Sequence, residues 1–496
     1  MPNGTLERHE KLISFFVSFP KCIAGKGIES IMRKKNVQLA DTPCKKNEEY
    51  EVVIEDLGAE GEGIAKLDGY ALFVKDALPG ERCRVLITKA NKNFAYARLL
   101  EVLDASPYRI EPVCSVAKAC GGCKIMALSY EQQLQFKERK VKHNLETIGK
   151  VTDFEYAPII GMEEPYAYRN KAQFPLGMNK EGKIISGFYA GRTHHIVEND
   201  GCAIGVAENQ EILDIVKAFM EEHHISAYDE NTGKGLVRHV MIRKAFSTGE
   251  VMVCLVVNGT KLPKEDKLVE ALQQVTGMIS ISVNVNQERT NVILGAEVRV
   301  LYGRDYIVDF IGDLQFRISP KSFFQVNPVQ TERLYGKALE FAGLNGTETV
   351  WDLYCGIGTI SLFLAKKAKK VYGVEIVPEA IRDAKVNAEV NQIENSEFFV
   401  GKSEEVLPAF YKEHGGYADV IVVDPPRKGC DEALLQTIVE MAPEKVVYVS
   451  CDSATLGRDV RYLTERGYVL RKAQAVDMFP HSCHVETCVL LSKVNS

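Results

Sequence analysis

A short apolar run, Val447-Val-Tyr-Val-Ser-Cys-Asp452, reads as a strand that delivers a cysteine to a turn. A second, Val350-Trp-Asp-Leu-Tyr-Cys-Gly-Ile-Gly-Thr359, reads as a strand and the loop of a methyl-donor nucleoside site, with glycines where a Cβ would collide with ligand. A thiol beside an activated methyl group has few uses. Amines and hydroxyls are methylated without one. A poorly nucleophilic ring carbon such as uracil C5 is not. Thiolate attack at C6 makes C5 enolate-like, so that C5 can take a methyl group from a sulfonium. A base must then remove the C5 proton before the thiol leaves by elimination.

Cys451 is the candidate nucleophile and Glu486, in His481-Ser-Cys-His-Val-Glu-Thr-Cys488, the candidate base. A free thiol titrates near 8.5 and needs help at neutral pH. Asp452-Ser-Ala-Thr-Leu-Gly457 has the form of a helix cap and first turn, whose dipole favours a thiolate at Cys451. By residue type alone Cys451 is as well suited to a core. Its place at a strand end, within a methyl-donor pattern, argues for chemistry. Cys355, Cys483 and Cys488 are read as core or strand thiols.

On the donor side, Glu375 ends the strand Val371-Tyr-Gly-Val-Glu-Ile376, where a carboxylate suits two ribose hydroxyls. A dinucleotide site is disfavoured, because Gly-x-Gly-x-x-Gly is broken by Ser361. Val420-Ile-Val-Val-Asp-Pro-Pro-Arg-Lys-Gly429 closes another strand with an acid, Asp424, and two prolines that stiffen the loop. Amino-group methyltransferases typically have an aromatic after Asp-Pro-Pro; here Arg427 follows. A third feature is Cys114-x5-Cys120-Gly-Gly-Cys123. With a fourth ligand these thiols suit a tetrahedral zinc or a [4Fe–4S] cluster, and spacing does not choose between them. The x5 interval departs from the x3 and x2 spacing of radical-generating enzymes.

These residues need elements to hold them. From about residue 325 the pattern is regular βα, with strands expected at 349–353, 371–375, 397–401, 419–423, 446–450, 468–473 and 486–492, giving a mostly parallel sheet with ligands at its carboxyl ends. Residues 44–103 alternate short strand-like runs with Gly58, Gly61, Gly63 and Pro79-Gly80, which suggests a small oligonucleotide-binding type of barrel. Between them, residues 104–320 read as α+β, with strands at 252–257 and 279–285. A helix over 129–148 there presents Lys137, Arg139, Lys140 and Lys142 as a basic face, either solvated or in contact with RNA. Residues 1–43 read as a leader, flexible or the result of an early start codon, with Met32 as a later start.

The 496 residues favour two to four domains. A net charge of −6 neither advertises nor excludes nucleic acid, since affinity follows the local field. Thirteen cysteines without an export signal point to a reducing, cytoplasmic setting, with metal ligands and reactive thiols rather than disulfides. Ile13–Phe19 is too short for an export core, and no run is long enough to cross a membrane.

Taken with Tyr168-Arg-Asn-Lys-Ala-Gln-Phe-Pro175, Ser322-Phe-Phe-Gln-Val-Asn327 and His484-Val-Glu486, these motifs resemble the RNA uracil-5-methyltransferases, in order and over about residues 44–496. The resemblance implies a Rossmann-like class I methyltransferase domain over 321–496 and a TRAM barrel over 44–103. It implies Cys451 as nucleophile and Glu486 as proton acceptor, with Gln325, Tyr354, Glu375 and Asp424 lining the S-adenosylmethionine site. Cys202 is its match for the fourth ligand, with Cys114, Cys120 and Cys123, and it favours [4Fe–4S] over zinc. Having both TRAM domain and cysteine cluster, the chain is more similar to the 23S ribosomal RNA branch than to the transfer-RNA enzyme. The expectation is a monomeric enzyme making 5-methyluridine in 23S rRNA from a base flipped out of its stack. A transfer-RNA methyltransferase and a non-catalytic ribosome-assembly factor are the alternatives.

Overall fold

In the computed structural model, residues 42–494 are described, apart from Arg192 and residues 415–417. The expected leader, residues 1–43, lies outside them except for Thr42 and Pro43.

The first unit is a six-stranded sheet of Glu49–Val53, Asp56–Leu57, Gly63–Leu67, Tyr70–Lys75, Arg82–Ala90 and Phe94–Asp104. Its spatial order is first, fifth, sixth, fourth, third, second. Period-two burial drives it: Cys83, Val85 and Ile87 point inward while Arg82 and Arg84 pair with carboxylates outside. The sequence reading treated the glycines at 61 and 63 as a turn. Gly63 instead opens a strand, and a Cβ there would meet the Ala77 carbonyl at 2.8 Å.

The central sheet has seven strands, in the order Ile196–Glu198, Ile184–Tyr189, Lys171–Met178, Val237–Lys244, Val251–Val257, Met278–Val285 and Glu297–Gly303. Helices Glu208–Glu222 and Glu265–Leu272 bury one face of it over Val240, Val253 and Ile281. The other face contributes Met241, Met252 and Cys254 to the core of the C-terminal region.

That C-terminal region is built on an eight-stranded sheet: Ser396–Val400, Lys370–Glu375, Thr349–Leu353, Val420–Val423, Lys445–Ser450, Glu486–Lys493, Tyr468–Val476 and Glu155–Ile160. Glu486–Lys493 runs antiparallel to both neighbours; the other pairings are parallel. The eighth strand, Glu155–Ile160, comes from the stretch read as the central region. Its half-buried pattern carries no sign of which sheet it will join.

Helix Tyr130–Thr147 also packs on this region, against helix Ser453–Thr464. The expectation of one basic face on it needs correction. Lys137 has no exposed surface; it donates to the Asp477 carboxylate and, at 2.9 Å, to the Phe479 carbonyl. Lys140 donates to the carbonyls of Ala59 and Cys483, both at 3.1 Å. Only Arg139 and Lys142 remain on the exposed side. Spacing along a helix shows which residues share a face, but not that another chain segment will cover it. Among the described residues no helix is long and apolar enough to cross a membrane.

Removing one partner of a buried ion pair leaves the other uncompensated, at a cost of about 3–5 kcal/mol. Lys137→Ala is therefore expected to lose about that much stability in urea denaturation, whereas exposed Lys142→Ala should lose well under 1 kcal/mol. A Lys137→Ala protein as stable as the parent would show that the pair does not hold this helix in place.

Candidate active site

Strand register builds the site. Between Lys445–Ser450 and Glu486–Lys493, Val449 faces Cys488 and Ser450 faces Thr487. One residue further along stand Cys451 and Glu486, whose carboxylate acts on the Cys451 thiol, and residues facing each other on antiparallel strands project to the same face. It is the face on which Val449 and Cys488 pack with Tyr335 and Ala338 of helix Pro328–Ala342. On the neighbouring parallel strands Val423 faces Tyr448 and Leu353 faces Val423, so Asp424 and Tyr354 begin the loops at the same edge. This is the carboxyl edge, where the reversed strand begins with Glu486.

Asp452 caps helix Ser453–Thr464, accepting from the amides of Ala454 and Thr455 at 3.0 Å each. The expected thiolate does not follow from that cap. Burial, with the carboxylates of Glu486 and Asp424 beside it, pushes the Cys451 thiol up to about 12, against the pull of Arg427. The helix dipole is outweighed because burial strips water from the thiolate, and the neighbouring carboxyl groups add to that penalty. Glu486 is itself pushed up to about 8, by burial and then Asp424, with Arg427 again opposing. Asp424 rises to about 7, by burial and then Asp352. Glu486 is 3% exposed, and its Oε2 has no hydrogen-bond partner. The pocket is short of positive charge.

Arg427, noted in the sequence only as a departure from the aromatic pattern, is the cation that acts on both Cys451 and Glu486. Its loop is clamped by the helix that follows the cysteine. Thr455 donates to the Arg427 carbonyl at 3.1 Å, and Arg458 to the carbonyls of Lys428 and Cys430 at 3.0 and 3.2 Å. Asp459 accepts from the Cys430 amide at 2.8 Å and from the Tyr448 hydroxyl at 2.7 Å. Gly429, at φ +76°, allows the close approach, since a Cβ there would lie 2.6 Å from the Asp459 carboxylate.

At the glycine loop, Glu375 Oε2 accepts from the Gly356 amide at 3.3 Å and Oε1 from the Val377 amide at 3.0 Å. The open space on the Cβ side of Gly356 adjoins this carboxylate, an arrangement that fits a nucleoside. Gln325 lies buried in the loop before helix Pro328–Ala342, its carbonyl accepting from Asn170 Nδ2 at 3.1 Å. Tyr354, at φ +71°, keeps its backbone in the glycine loop but turns its ring toward Cys430 and Asp431 on the opposite face. The expected donor-side residues thus gather at one edge as backbone positions, while the Tyr354 ring turns away.

The cysteine cluster forms in part. Burial and then Cys202, Cys120 and Cys114 push the Cys123 thiol up to about 12, so the four thiols share one neighbourhood. Among the described residues, however, no three His, Cys, Asp or Glu side chains stand close enough to share one metal ion.

The C-terminal sheet, with its reversed strand and glycine loop, defines a class I methyltransferase. The family model described as tRNA (Uracil-5-)-methyltransferase matches residues 129–494, and that of the TRAM domain matches 43–100. An uncharacterized RNA methyltransferase of Bacillus cereus is 52% identical over 453 residues, covering 91% of this chain and 98% of its own. One from Clostridium acetobutylicum is 50% identical over 456 residues, covering 91% and 99%. The crystal structure of Pyrococcus abyssi tRNA (uracil-54, C5)-methyltransferase with S-adenosyl-L-homocysteine superposes with a TM-score of 0.72 at 28% identity, covering 89% of this chain and all of that one. The chain belongs to the S-adenosylmethionine-dependent RNA uracil-5-methyltransferase family, with a TRAM domain at its N-terminal side.

The raised carboxyls tie stability to pH. Glu486 and Asp424 hold protons in the folded state that the unfolded chain releases near pH 4, so their contribution is fully present below that pH and is lost as pH rises through about 7 and 8. Asp424→Asn, which removes one of the two charges, should therefore stabilise the ligand-free protein at pH 9 more than at pH 5. Urea midpoints that shift equally at both pH values would contradict this charge pairing.

Proposed function

We propose that the protein makes 5-methyluridine in 23S rRNA through a covalent bond between Cys451 and uracil C6, with Glu486 removing the C5 proton. The observation that carries this reading is that Cys451 and Glu486 stand just past the last paired rung, Ser450 with Thr487, with the Glu486 carboxylate acting on the Cys451 thiol. A binding-only assembly factor has no need of a thiol and an unpartnered buried carboxylate facing each other.

In this reading Gln325, Tyr354, Glu375 and Asp424 hold S-adenosylmethionine, which supplies the methyl group and brings a sulfonium charge to the edge. Glu375 takes the ribose hydroxyls, and Tyr354 contributes its backbone. Arg427 and the sulfonium together lower Cys451 and Glu486 from their ligand-free values toward the ionised forms that the reaction needs. The flipped uracil presents C6 to Cys451 on the side where Glu486 can reach the C5 proton. Proton loss to Glu486 restores the ring double bond as Cys451 leaves. The barrel, residues 44–103, and the central region, residues 104–320, hold the RNA; residues 321–496 carry the chemistry in a monomer.

Cys114, Cys120, Cys123 and Cys202 hold a [4Fe–4S] cluster that organises the RNA-facing region. Support comes from their shared neighbourhood, in which Cys202, Cys120 and Cys114 all act on the Cys123 thiol. For the substrate, barrel and cysteine motif together support 23S rRNA. Transfer RNA is the second reading, because the Pyrococcus abyssi enzyme, whose printed substrate is a tRNA, superposes on most of the chain.

Incubation with S-adenosylmethionine and 5-fluorouridine-substituted RNA tests both points, because fluorine at C5 cannot leave as a proton. The parent protein should give a denaturant-resistant adduct with 23S RNA, and Cys451→Ala none. On ordinary RNA, Glu486→Gln should accumulate the adduct and slow turnover by at least about a hundredfold. An adduct with tRNA alone would keep the mechanism and move the substrate, whereas adducts on neither RNA would overturn the mechanism.

A further inference from the structure

The central-sheet face turned toward the catalytic region carries cations that no carboxylate answers. Lys171 and Arg243 stand directly opposite each other on neighbouring antiparallel strands, with side chains on the same face. Arg169 joins them, its Nε donating to the Lys171 carbonyl at 2.9 Å. Elsewhere on the Val237–Lys244 strand, Arg238 pairs with Glu230 and Lys244 with Glu208. Among the described residues Lys171, Arg169 and Arg243 form no ion pair. Arg243 is buried; it donates to the Ser322 carbonyl, but its Nε has no partner. Arg169 and Lys171 are half-buried. Burial and the two guanidiniums hold the Lys171 ammonium down to about 7.

Their position is tied to the catalytic edge. Asn170, between Arg169 and Lys171, donates its amide to the Val326 carbonyl at 2.8 Å and Nδ2 to the Gln325 carbonyl at 3.1 Å. On the adjoining side the Arg169 amide donates to the Ile204 carbonyl at 2.9 Å, and Arg169 also acts on Cys123. Like charges packed without a counter-ion oppose folding, and an external anion placed among them relieves both the repulsion and the unmet donors. An Arg fork beside an ammonium suits the tetrahedral oxygens of a phosphodiester.

We infer that Arg169 and Lys171, backed by the buried charge of Arg243, form the seat for one backbone phosphate of the RNA, beside the nucleotide being modified. The inference rests on the proposed active site only for which nucleotide is adjacent; the anion class comes from the cations themselves. The phosphate positions the strand and carries no sequence information.

The test uses the full-length protein and whichever transcript, 23S rRNA or tRNA, the parent methylates. Lys171→Met should raise the KM for RNA about tenfold. It should also make the fall of log(kcat/KM) with log salt shallower by about 0.7–0.9. Lys171→Arg should restore both, and the KM for S-adenosylmethionine should not move. RNA-free Lys171→Met should melt at a higher temperature than the parent, because an unpaired cation has gone. Exposed Lys267→Gln is the control. Parental RNA KM and salt slope in Lys171→Met would overturn the inference. So would a raised KM for S-adenosylmethionine, which would give the seat to the amino-acid carboxylate, and so would a lower melting temperature unrelieved by Lys171→Arg, which would make Lys171 a structural prop. If the parent methylates neither transcript, the catalytic reading fails by itself, and the salt dependence of direct RNA binding by parent and Lys171→Met decides the seat.

Discussion

Everything at the catalytic edge depends on one strand running backwards. Had Glu486–Lys493 been parallel to Lys445–Ser450, its carboxyl end would meet the site and Glu486 would lie at the far side of the sheet. Because it is antiparallel, its first residue lies just past the last paired rung, Ser450 with Thr487, at the same edge as Cys451. The pairing is specified by burial: Val447, Val449 and Cys488 enter one core and Val446, Tyr448 and Val489 the other. A slip of one residue would exchange the two faces, so the packing that stabilises the sheet also aims the thiol and the carboxylate at the same space.

The segment leading into Glu486 is held as firmly as the strand itself. Lys137 and Tyr130 of helix Tyr130–Thr147 both bond Asp477, and Gln133 accepts from the His481 amide at 2.9 Å. His481 adopts φ +66° and stacks its ring on Tyr166 at 4.6 Å. Tyr168 donates to the Pro480 carbonyl at 3.1 Å. A left-handed conformation at a non-glycine residue persists only where its surroundings over-determine it. The surroundings here are segments remote in sequence that converge on the loop before the carboxylate. Central region and catalytic sheet are therefore one mechanical unit around Glu486, although a linear reading divides them.

Electrostatics make the ligand-free pocket a resting state. With Asp424 and Glu486 beside Cys451, Asp352 beside Asp424 and Arg427 opposing, burial keeps protons in place and the thiol is a weak nucleophile. In the proposed reaction a cationic sulfonium reverses that balance and links reactivity at the thiol to occupancy of the donor site. The central sheet shows the complementary pattern, cations without carboxylates. In the proposed reading each uncompensated charge matches its ligand, a sulfonium at the one place and an RNA phosphate at the other.

Much of this was legible in residue order. The glycine loop, the acid at the end of the next strand, the cysteine before a helix cap and the strand positions from 349 onward follow from local chemistry and from periods that any stretch of chain carries within itself. So does the reading of Cys355, Cys483 and Cys488 as buried thiols, which they are. What only the tertiary structure decided concerns pairs remote in sequence. Lys137 reads as one more cation on a basic face until Asp477 meets it; Glu155–Ile160 reads as belonging to its sequence neighbours until it joins the C-terminal sheet. The Cys451 thiol reads as acidified by its helix until burial, and then Glu486 and Asp424, oppose its ionisation. Local pattern sets an element's type and the residues it displays. Which partner those residues meet, and so whether a charge is answered, repelled or left waiting, is settled by burial and Coulomb energy between segments that sequence spacing does not relate.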